Sequence, residues 1–457
     1  MLLLVGGQVE SLWDEVLPGE VKELPADLAG LAVLLRDPGL LEPIASAWRC
    51  EAVTVGRPTI AMATYVRLMV IKQRTGWGYE TLVREVSDSI HLRRFCLIAL
   101  GERVPDESTV RKLTRRLGAG VVNEITRVLI ETARRQKRFR PRAARIDSTV
   151  VEADVRYPTD SGLALDSARV LAREARKLSA KVGRDAGRVR DRSRAIGRRV
   201  RAMSRTLGRR TGERKQQVLE FTEQSGKLVE RSIREAKRLA AVARRRARGR
   251  GAKAKLRQIK RLEIFIARAE RVTEQIQKRI RGERITDRVV SIFDPDARPI
   301  RKGKLGKPNE FGFVMQICEV TENTRTGARG LIIPATTQIG NPAEDALLPD
   351  TVAELDRLGI VPREVALDGG FNVGPTAQTL EGREPERTFI AGRQQSGSRR
   401  TQRRLARYRT GSEGRISHLK RGYGIRRSRL KDHDGAQAWT GWSILTYNLD
   451  TLAIRTT

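Results

Sequence analysis

Between about residues 163 and 284 apolar side chains recur every three or four positions, while the sequence on either side carries the β-branched runs of strands. Leu171, Ala175, Leu178, Val182, Ala186, Val189, Ser193, Ile196, Val200, Met203 and Leu207 form one stripe. Val229, Ile233, Ala236, Ala240 and Ala243 form a second; Ile259, Leu262, Ile266, Ala269, Val272, Ile276 and Ile280 form a third. That spacing is a helical seam of the coiled-coil kind. Breaks at Gly208 and Gly212 and at Gly249-Arg250-Gly251 divide it into three antiparallel helices. The first would be about forty residues and about 60 Å long at the standard helical rise. A helical block of this kind between strands reads as an insertion into an α/β domain.

The strand before the block is Arg145 to Val151, an apolar, β-branched run that reads as buried. After it the chain turns β-rich, with a strand expected at Val289 to Phe293 and paired strands at Phe311 to Val320 and Arg329 to Thr337. A helix from Asp345 to Leu358, short strands at Glu364 to Leu367 and Thr388 to Ala391, a basic helix from Ser412 to about Leu430 and an apolar helix from Ala438 to Ala453 complete it. In that last helix Trp439, Trp442 and Tyr447 are expected in the core. This order matches an RNase H-like α/β domain with a long coiled-coil-like helical insertion after its first strand. Residues 1 to about 135 read as short helices, among them Ala61 to Gln73, Tyr79 to Val86 and Val121 to Arg134. Ser108 and Thr109 look like an N-cap for a helix through Leu117, which Gly118 and Gly120 end. Such an all-α region fits a helix-turn-helix-like DNA-binding domain or a plain packing and dimerisation domain. The expected divisions are residues 1–140, 141–162, 163–286 and 287–457.

Charge narrows the partners. The 457 residues carry 90 Lys and Arg against 54 Asp and Glu, a net charge of +36, and the pI is near 11.2. That balance points to a polyanion, above all nucleic acid. Arg244-Arg245-Arg246, Arg248, Arg250, Lys253 and Lys255 cluster where two of the helices meet, as a DNA-contacting tip would require. Cys50, Cys96 and Cys318 lie far apart, and His91, His418 and His433 are the only histidines, so neither a disulfide framework nor a zinc ligand set is visible. The opening Met1-Leu2-Leu3-Leu4-Val5 is too short for a signal segment, and no run is long enough to span a membrane. A cytoplasmic, nucleoid-associated chain is expected.

The run at 145–151 holds one carboxylate, Asp147, and a buried acid needs an ion-pair partner or a metal. Asp368 ends a second apolar strand, Val365-Ala366-Leu367, and is followed by Gly369-Gly370. Glu413 stands among Arg409, Arg415 and Lys420. Three carboxylates suit two-metal phosphoryl transfer, because Mg²⁺ takes hard oxygen ligands and substrate phosphate and water fill the remaining positions. The alternatives are an ion pair of Asp147 with Arg145 or another arginine, a turn role for Asp368 and a helix first-turn role for Glu413. Glu152, Asp154 and Asp434 are rival acids.

Asp147-Ser148-Thr149-Val150-Val151-Glu152-Ala153, Leu367-Asp368-Gly369-Gly370-Phe371 and Glu413-Gly414-Arg415-Ile416-Ser417-His418-Leu419-Lys420 resemble the three active-site blocks of bacterial insertion-sequence DDE transposases. The helix-rich insert and the run from Asp296 to Lys304 resemble the ISNCY-type group. The resemblance implies an RNase H-like catalytic domain that cuts and joins DNA at transposon ends with Mg²⁺, for which Mn²⁺ can substitute. It implies Asp147, Asp368 and Glu413 as catalytic metal ligands, and at least a dimer on DNA. The family's third block often reads Tyr-x2-Arg-x3-Glu-x6-Lys; Arg409, Glu413 and Lys420 keep that spacing, and Ala406 stands at the tyrosine position. Arg409, Arg415 and Lys420 are the expected DNA contacts, with Arg409 ahead of the helix because Gly411 intervenes. Two other readings remain: a non-enzymatic basic DNA-architectural protein, and a nuclease of the same fold that cuts without joining.

Overall fold

The structure, a computed structural model, describes residues 1–6, 15–49, 58–206, 212–249, 251–304, 307–383, 385–393 and 398–456. Cys50, Leu207, Gly208 and Arg250 lie outside the described residues. The chain forms two compact units, Met1–Asp154 with Gly312–Thr457, and Val155–Phe311.

The helices of the N-terminal region include α1 Ala26–Leu34, α2 Glu42–Arg49, α3 Met62–Thr75, α4 Tyr79–Asp88, α5 Ile90–Phe95 and α6 Glu107–Arg135. Strand β1, Ala143–Ala153, follows. The second unit holds α7 Asp160–Val182, α8 Ser193–Thr206, α9 Gly212–Arg245, α10 Ala252–Ile280 and β2 Arg298–Lys304. Strand β3, Lys307–Thr321, leads back into the first unit. There the chain continues with β4 Leu331–Ile332, β5 Thr337–Gln338, α11 Glu344–Arg357, β6 Glu364–Leu367, α12 Val373–Leu380 and β7 Arg387–Ile390. It ends with α13 Arg399–Gly422, β8 Arg427–Ser428 and α14 Asp432–Thr456.

In the first unit β1 is central. It runs antiparallel to β3 and parallel to β6, which is parallel to β7, while β4 and β5 pair antiparallel with the far side of β3. Alternation along β1 sorts its side chains between two faces. Ala144 and Ile146, with Cys318 and Val320 of β3 and Val365 and Leu367 of β6, join a core that runs through Leu348 and Val352 of α11 into the N-terminal helices. Ala143, with Ala366 and Phe389, lies instead under Leu405 and Tyr408 of α13. The N-terminal helices therefore share one core with the sheet, and the boundary near residue 140 is not a break in packing. Helix α14 runs through this core, with Trp439, Trp442 and Tyr447 all buried. Its Asn448 side chain accepts from the Ile332 N–H at 2.8 Å and donates to the Ile332 carbonyl at 2.7 Å, completing the backbone pairing of the short β4.

Several local expectations change. Asp106, not Ser108 or Thr109, caps α6 by accepting from both their N–H groups. A carboxylate two and three residues ahead of these N–H groups reaches both donors. Gly118, at φ 65° and ψ −170°, leaves helical geometry and separates the two helical stretches of α6, as its sequence position leads one to expect. Helix α13 begins at Arg399, so Arg409 lies inside it.

Among its described residues the second unit contains four α-helices rather than three. The long first helix stops at Val182, where Gly183 and Gly187 take φ of 103° and 117°, values open to glycine. Leu171, Ala175, Leu178, Ile196, Val229, Ile233, Ile259, Leu262 and Ile266 form its core. Asp160 is buried at the start of α7 and accepts from Gln275 at 2.8 Å, Arg279 at 2.7 Å and Arg288 at 3.1 Å. The expected strand at Val289 to Phe293 does not form. Gln275 of α10 takes the place of a neighbouring strand: its Oε1 accepts from the Val289 N–H at 2.7 Å. Among the described residues no helix is long and apolar enough to cross a membrane.

Helix α3 buries a lysine. Lys72 is 1% exposed, with Nζ 4.1 Å from the Trp439 ring centre and 4.8 Å from that of Tyr79. Burial, helped by the charge of Arg429, pulls its ammonium down from 10.5 to about 7. Between those values the unfolded chain holds a proton that the folded chain does not, so stability rises with pH through that window and is flat below it. Lys72→Met keeps a polarisable contact with both rings. It is expected to raise the melting temperature at pH 7 and to flatten the gain in stability from pH 7 to 9. Thermal melts at pH 7, 8 and 9 check this; an unchanged slope would count against it.

Candidate active site

The site begins with an ion pair. In the register of β1 and β3, Arg145 lies opposite Glu319 and Asp147 opposite Ile317. The Arg145 guanidinium reaches Glu319 at 2.6 Å, and both side chains are 2% exposed. It also donates to the carbonyls of Tyr408 at 3.0 Å and Ala328 at 2.8 Å. Glu319 accepts from Arg415 Nε at 2.9 Å and from the Gly330 N–H at 2.8 Å. Arg145 is thus engaged with Glu319. Gly411 makes room for this arrangement: a Cβ there would fall 1.9 Å from an Arg145 nitrogen. This is why a glycine stands within α13 rather than ending it.

Asp147 follows two residues later and so points to the same face of β1. It is 8% exposed, and its Oδ1 accepts from the Ser148 N–H at 2.7 Å. Its position is set by where the next strand stops. Strand β6 pairs with β1 from Ala143 to Ile146, where Ile146 meets Leu367, and β8 pairs with β1 only at Glu152 and Ala153. Among the described strands, β1 has no neighbour on that side between these points. Asp147 is the first residue of β1 beyond its pairing with β6, and Asp368 is the residue that follows Leu367, the last of β6. One further step of the parallel register sets them side by side.

A third carboxylate meets them. One oxygen each from Asp147, Glu344 and Asp368 lie within 4.8 Å of one another. Glu344 is the first residue of α11, on the opposite face of the sheet from α13. Gly370 admits it, since a Cβ on Gly370 would fall 2.4 Å from Glu344 Oε2. Nothing in the sequence distinguishes Glu344 from its neighbour Asp345; only the packing of α11 against the sheet brings it in. The Gly-Gly pair after Asp368 was the available signal, a mark of close approach at that strand end.

The residues from the third motif divide. Arg409 donates to Asp368 Oδ1 at 2.9 Å and to Glu413 Oε1 at 3.1 Å, linking the two acids. The Glu413 side chain is 64% exposed and stands outside the three-carboxylate group. Arg415, expected on DNA, turns inward to Glu319 and is 12% exposed. Lys420 is half-buried, two turns along α13 from Glu413. His418 packs against Tyr423 and Tyr447, and burial and the nearby Arg329 and Arg415 hold its imidazole below its usual value. Of the rival acids, Glu152 pairs with Arg427 at 3.2 Å and Asp154 with the same arginine at 3.7 Å, while Asp434 is exposed.

The donor set is all carboxylate oxygen, which suits Mg²⁺ or Mn²⁺ rather than a soft metal. Residues 29–116 match the family described as Transposase domain (DUF772), and residues 288–449 match the Transposase DDE domain family. The second match takes in Glu344, Asp368 and Glu413, and Asp147 lies between the two. Comparison with curated proteins and with solved structures gave no match.

Gly411→Ala tests the support beneath Asp147. The methyl group would gain about 1 kcal/mol of helix propensity. Its collision with a pinned guanidinium would disrupt a buried ion pair, at a cost of about 3–5 kcal/mol. A net loss of about 2–4 kcal/mol is expected from the difference of those two terms. Denaturant unfolding measures it, and a variant as stable as the parent would refute the argument.

Proposed function

The chain is a DDE transposase of the insertion-sequence type, and we propose that it binds the terminal inverted repeats of its element, nicks the ends and joins the freed 3′-hydroxyl to target DNA. The observation that carries this mechanism is the pair of acids at adjacent parallel strand positions, Asp147 and Asp368, in a chain of net charge +36. In this reading the frame is RNase H-like, which an antiparallel β1, β3 and β4/β5 followed by parallel β6 and β7 supports. The helical unit is its insertion after β1, and the ISNCY-type group is its nearest class.

Asp147, Asp368 and Glu413 are the catalytic acids of the proposal. Two Mg²⁺ ions held by them would activate the attacking oxygen and steady the leaving one. Asp147 is held rigidly by its strand and by the bonded Arg145 beside it. Glu413 rests on Arg409, which also holds Asp368. A DNA phosphate competes for that guanidinium, because arginine binds phosphate oxygens in the same forked geometry as carboxylates. Once Arg409 turns to phosphate, Glu413 is released toward the site. Lys420, seven residues from Glu413 on the same side of α13, meets the same backbone. Arg415 acts through Glu319, keeping α13 against β3.

The N-terminal helices and the tip between α9 and α10 supply the remaining DNA contacts. Support at the tip comes from Arg245, Arg248 and Lys253, all exposed. Bringing two transposon ends together calls for at least two copies of the chain, acting at the nucleoid.

Purified protein with labelled transposon ends tests this reading. Asp147→Asn and Asp368→Asn are expected to bind the ends as the parent does and to lose Mg²⁺-dependent cleavage and joining by at least about a hundredfold, the scale of losing one preorganised electrostatic group. Cleavage retained in Asp147→Asn would remove that residue from the mechanism. Cleavage without strand transfer in the parent would make the protein a nuclease.

A further inference from the structure

A DDE transposase domain implies divalent-cation use, which leaves the question of which oxygens hold a cation before DNA arrives. Glu413 is exposed and bonded to Arg409. The carboxylate that reaches Asp147 and Asp368 is Glu344, with one oxygen of each acid within 4.8 Å of the others. Oxygens that ligate a common Mg²⁺ or Ca²⁺-sized ion at about 2.1–2.5 Å stand about 3–5 Å apart. The spacing is therefore that of a ligand set after small side-chain adjustment.

Glu344 is held in this position by its surroundings. The Gln316 side chain of β3 donates to the Glu344 carbonyl at 2.9 Å and accepts from Thr351 Oγ1, one helical stretch further on, at 2.6 Å. Leu348, Val352 and Leu355 bury the same helix against the sheet. Asp345, the neighbouring acid, is engaged elsewhere, accepting from Asn372 at 2.7 Å. Opposite Glu344, Gly370 leaves the space that its carboxylate enters.

We propose that Glu344 is a metal ligand of this transposase, forming with Asp147 and Asp368 a cation site that is complete before DNA binds. The inference rests on the transposase reading of Asp147 and Asp368 and adds a stage to it. The first cation is held by residues from β1, β6 and α11. Glu413, on α13, enters when DNA draws Arg409 away. Cation loading and DNA engagement are then separate events, each governed by its own glutamate.

Mn²⁺ binding to the full chain without DNA tests this, followed by the paramagnetic resonance signal of the free ion and by titration calorimetry. Glu344→Gln is expected to weaken Mn²⁺ binding by at least about tenfold, and Glu413→Gln to leave it within about twofold of the parent. Gly370→Ala keeps the carboxylate but fills its place and should weaken binding as Glu344→Gln does, with thermal melts reporting the fold of each variant. If Asp147→Asn loses Mn²⁺ while Glu344→Gln and Gly370→Ala bind as the parent, Glu344 is not a ligand and the transposase site stands. If Mn²⁺ binding survives both Asp147→Asn and Asp368→Asn, the metal site itself is misassigned and Glu344 falls with it.

Discussion

The buried ion pair between Arg145 and Glu319 is the contact on which the three-acid face of the sheet depends. Buried pairs contribute little net stability, since desolvation offsets most of their attraction, yet breaking one by removing a partner is costly. This pair is spread over three elements. Glu319 belongs to β3, Arg145 to β1, and α13 supplies the Tyr408 carbonyl, the Arg415 guanidinium and the gap at Gly411. A one-residue slip between β1 and β3 would put Arg145 and Glu319 on opposite faces of the sheet, so the pair fixes the register as well as the helix. Asp147 inherits its direction from that register.

Why the acids meet where they do follows from the unequal lengths of neighbouring strands. Strand β1 runs from Ala143 to Ala153, whereas β6 spans only Glu364 to Leu367. The opening this leaves beside β1 is the usual location of ligands in open α/β sheets, outside the carboxyl end of a strand. Helices from both faces also reach the same point there. Helix α11 brings Glu344 from one side and α13 brings Arg409 and Glu413 from the other. Had β6 continued past Leu367, its own backbone would have stood between them.

How much of this could be seen in the sequence depended on whether the cause was local. Asp147 stood out because an acid in an apolar strand is anomalous without any partner in view, and Asp368 because two glycines follow it. The short N-terminal helices and the seams of the second unit were legible from period alone. The departures have non-local causes. Glu344 joins the site through the packing of α11. Gly411 looks like a helix stop until the Arg145 guanidinium, from a strand 266 positions earlier, fills the missing Cβ. Val289 to Phe293 has the composition of a strand but finds Gln275 where a strand neighbour was expected. The break after Val182 was hidden because its apolar stripe keeps a helical step across two glycines.

Charge arithmetic also sorts structural acids from the acids of the site. In a chain with this excess of arginine a buried carboxylate is readily satisfied, and the described examples show how. Glu174 is bonded to Arg173, Lys177 and Arg261, Glu364 to Arg387 and Arg404, and Asp160 to Arg279 and Arg288. Each of these gathers cations around one acid and locks two or more elements together. At the end of β6 the pattern reverses, with three acids gathered around one point and Arg409 bonded to one of them from the side. Like charges brought that close raise the free energy of the folded chain unless a cation lies among them. The arrangement is therefore unfavourable as scaffold and favourable as a receptor for a divalent ion. The Arg409 guanidinium at its edge is of the kind that binds a phosphate, because the same fork serves both anions.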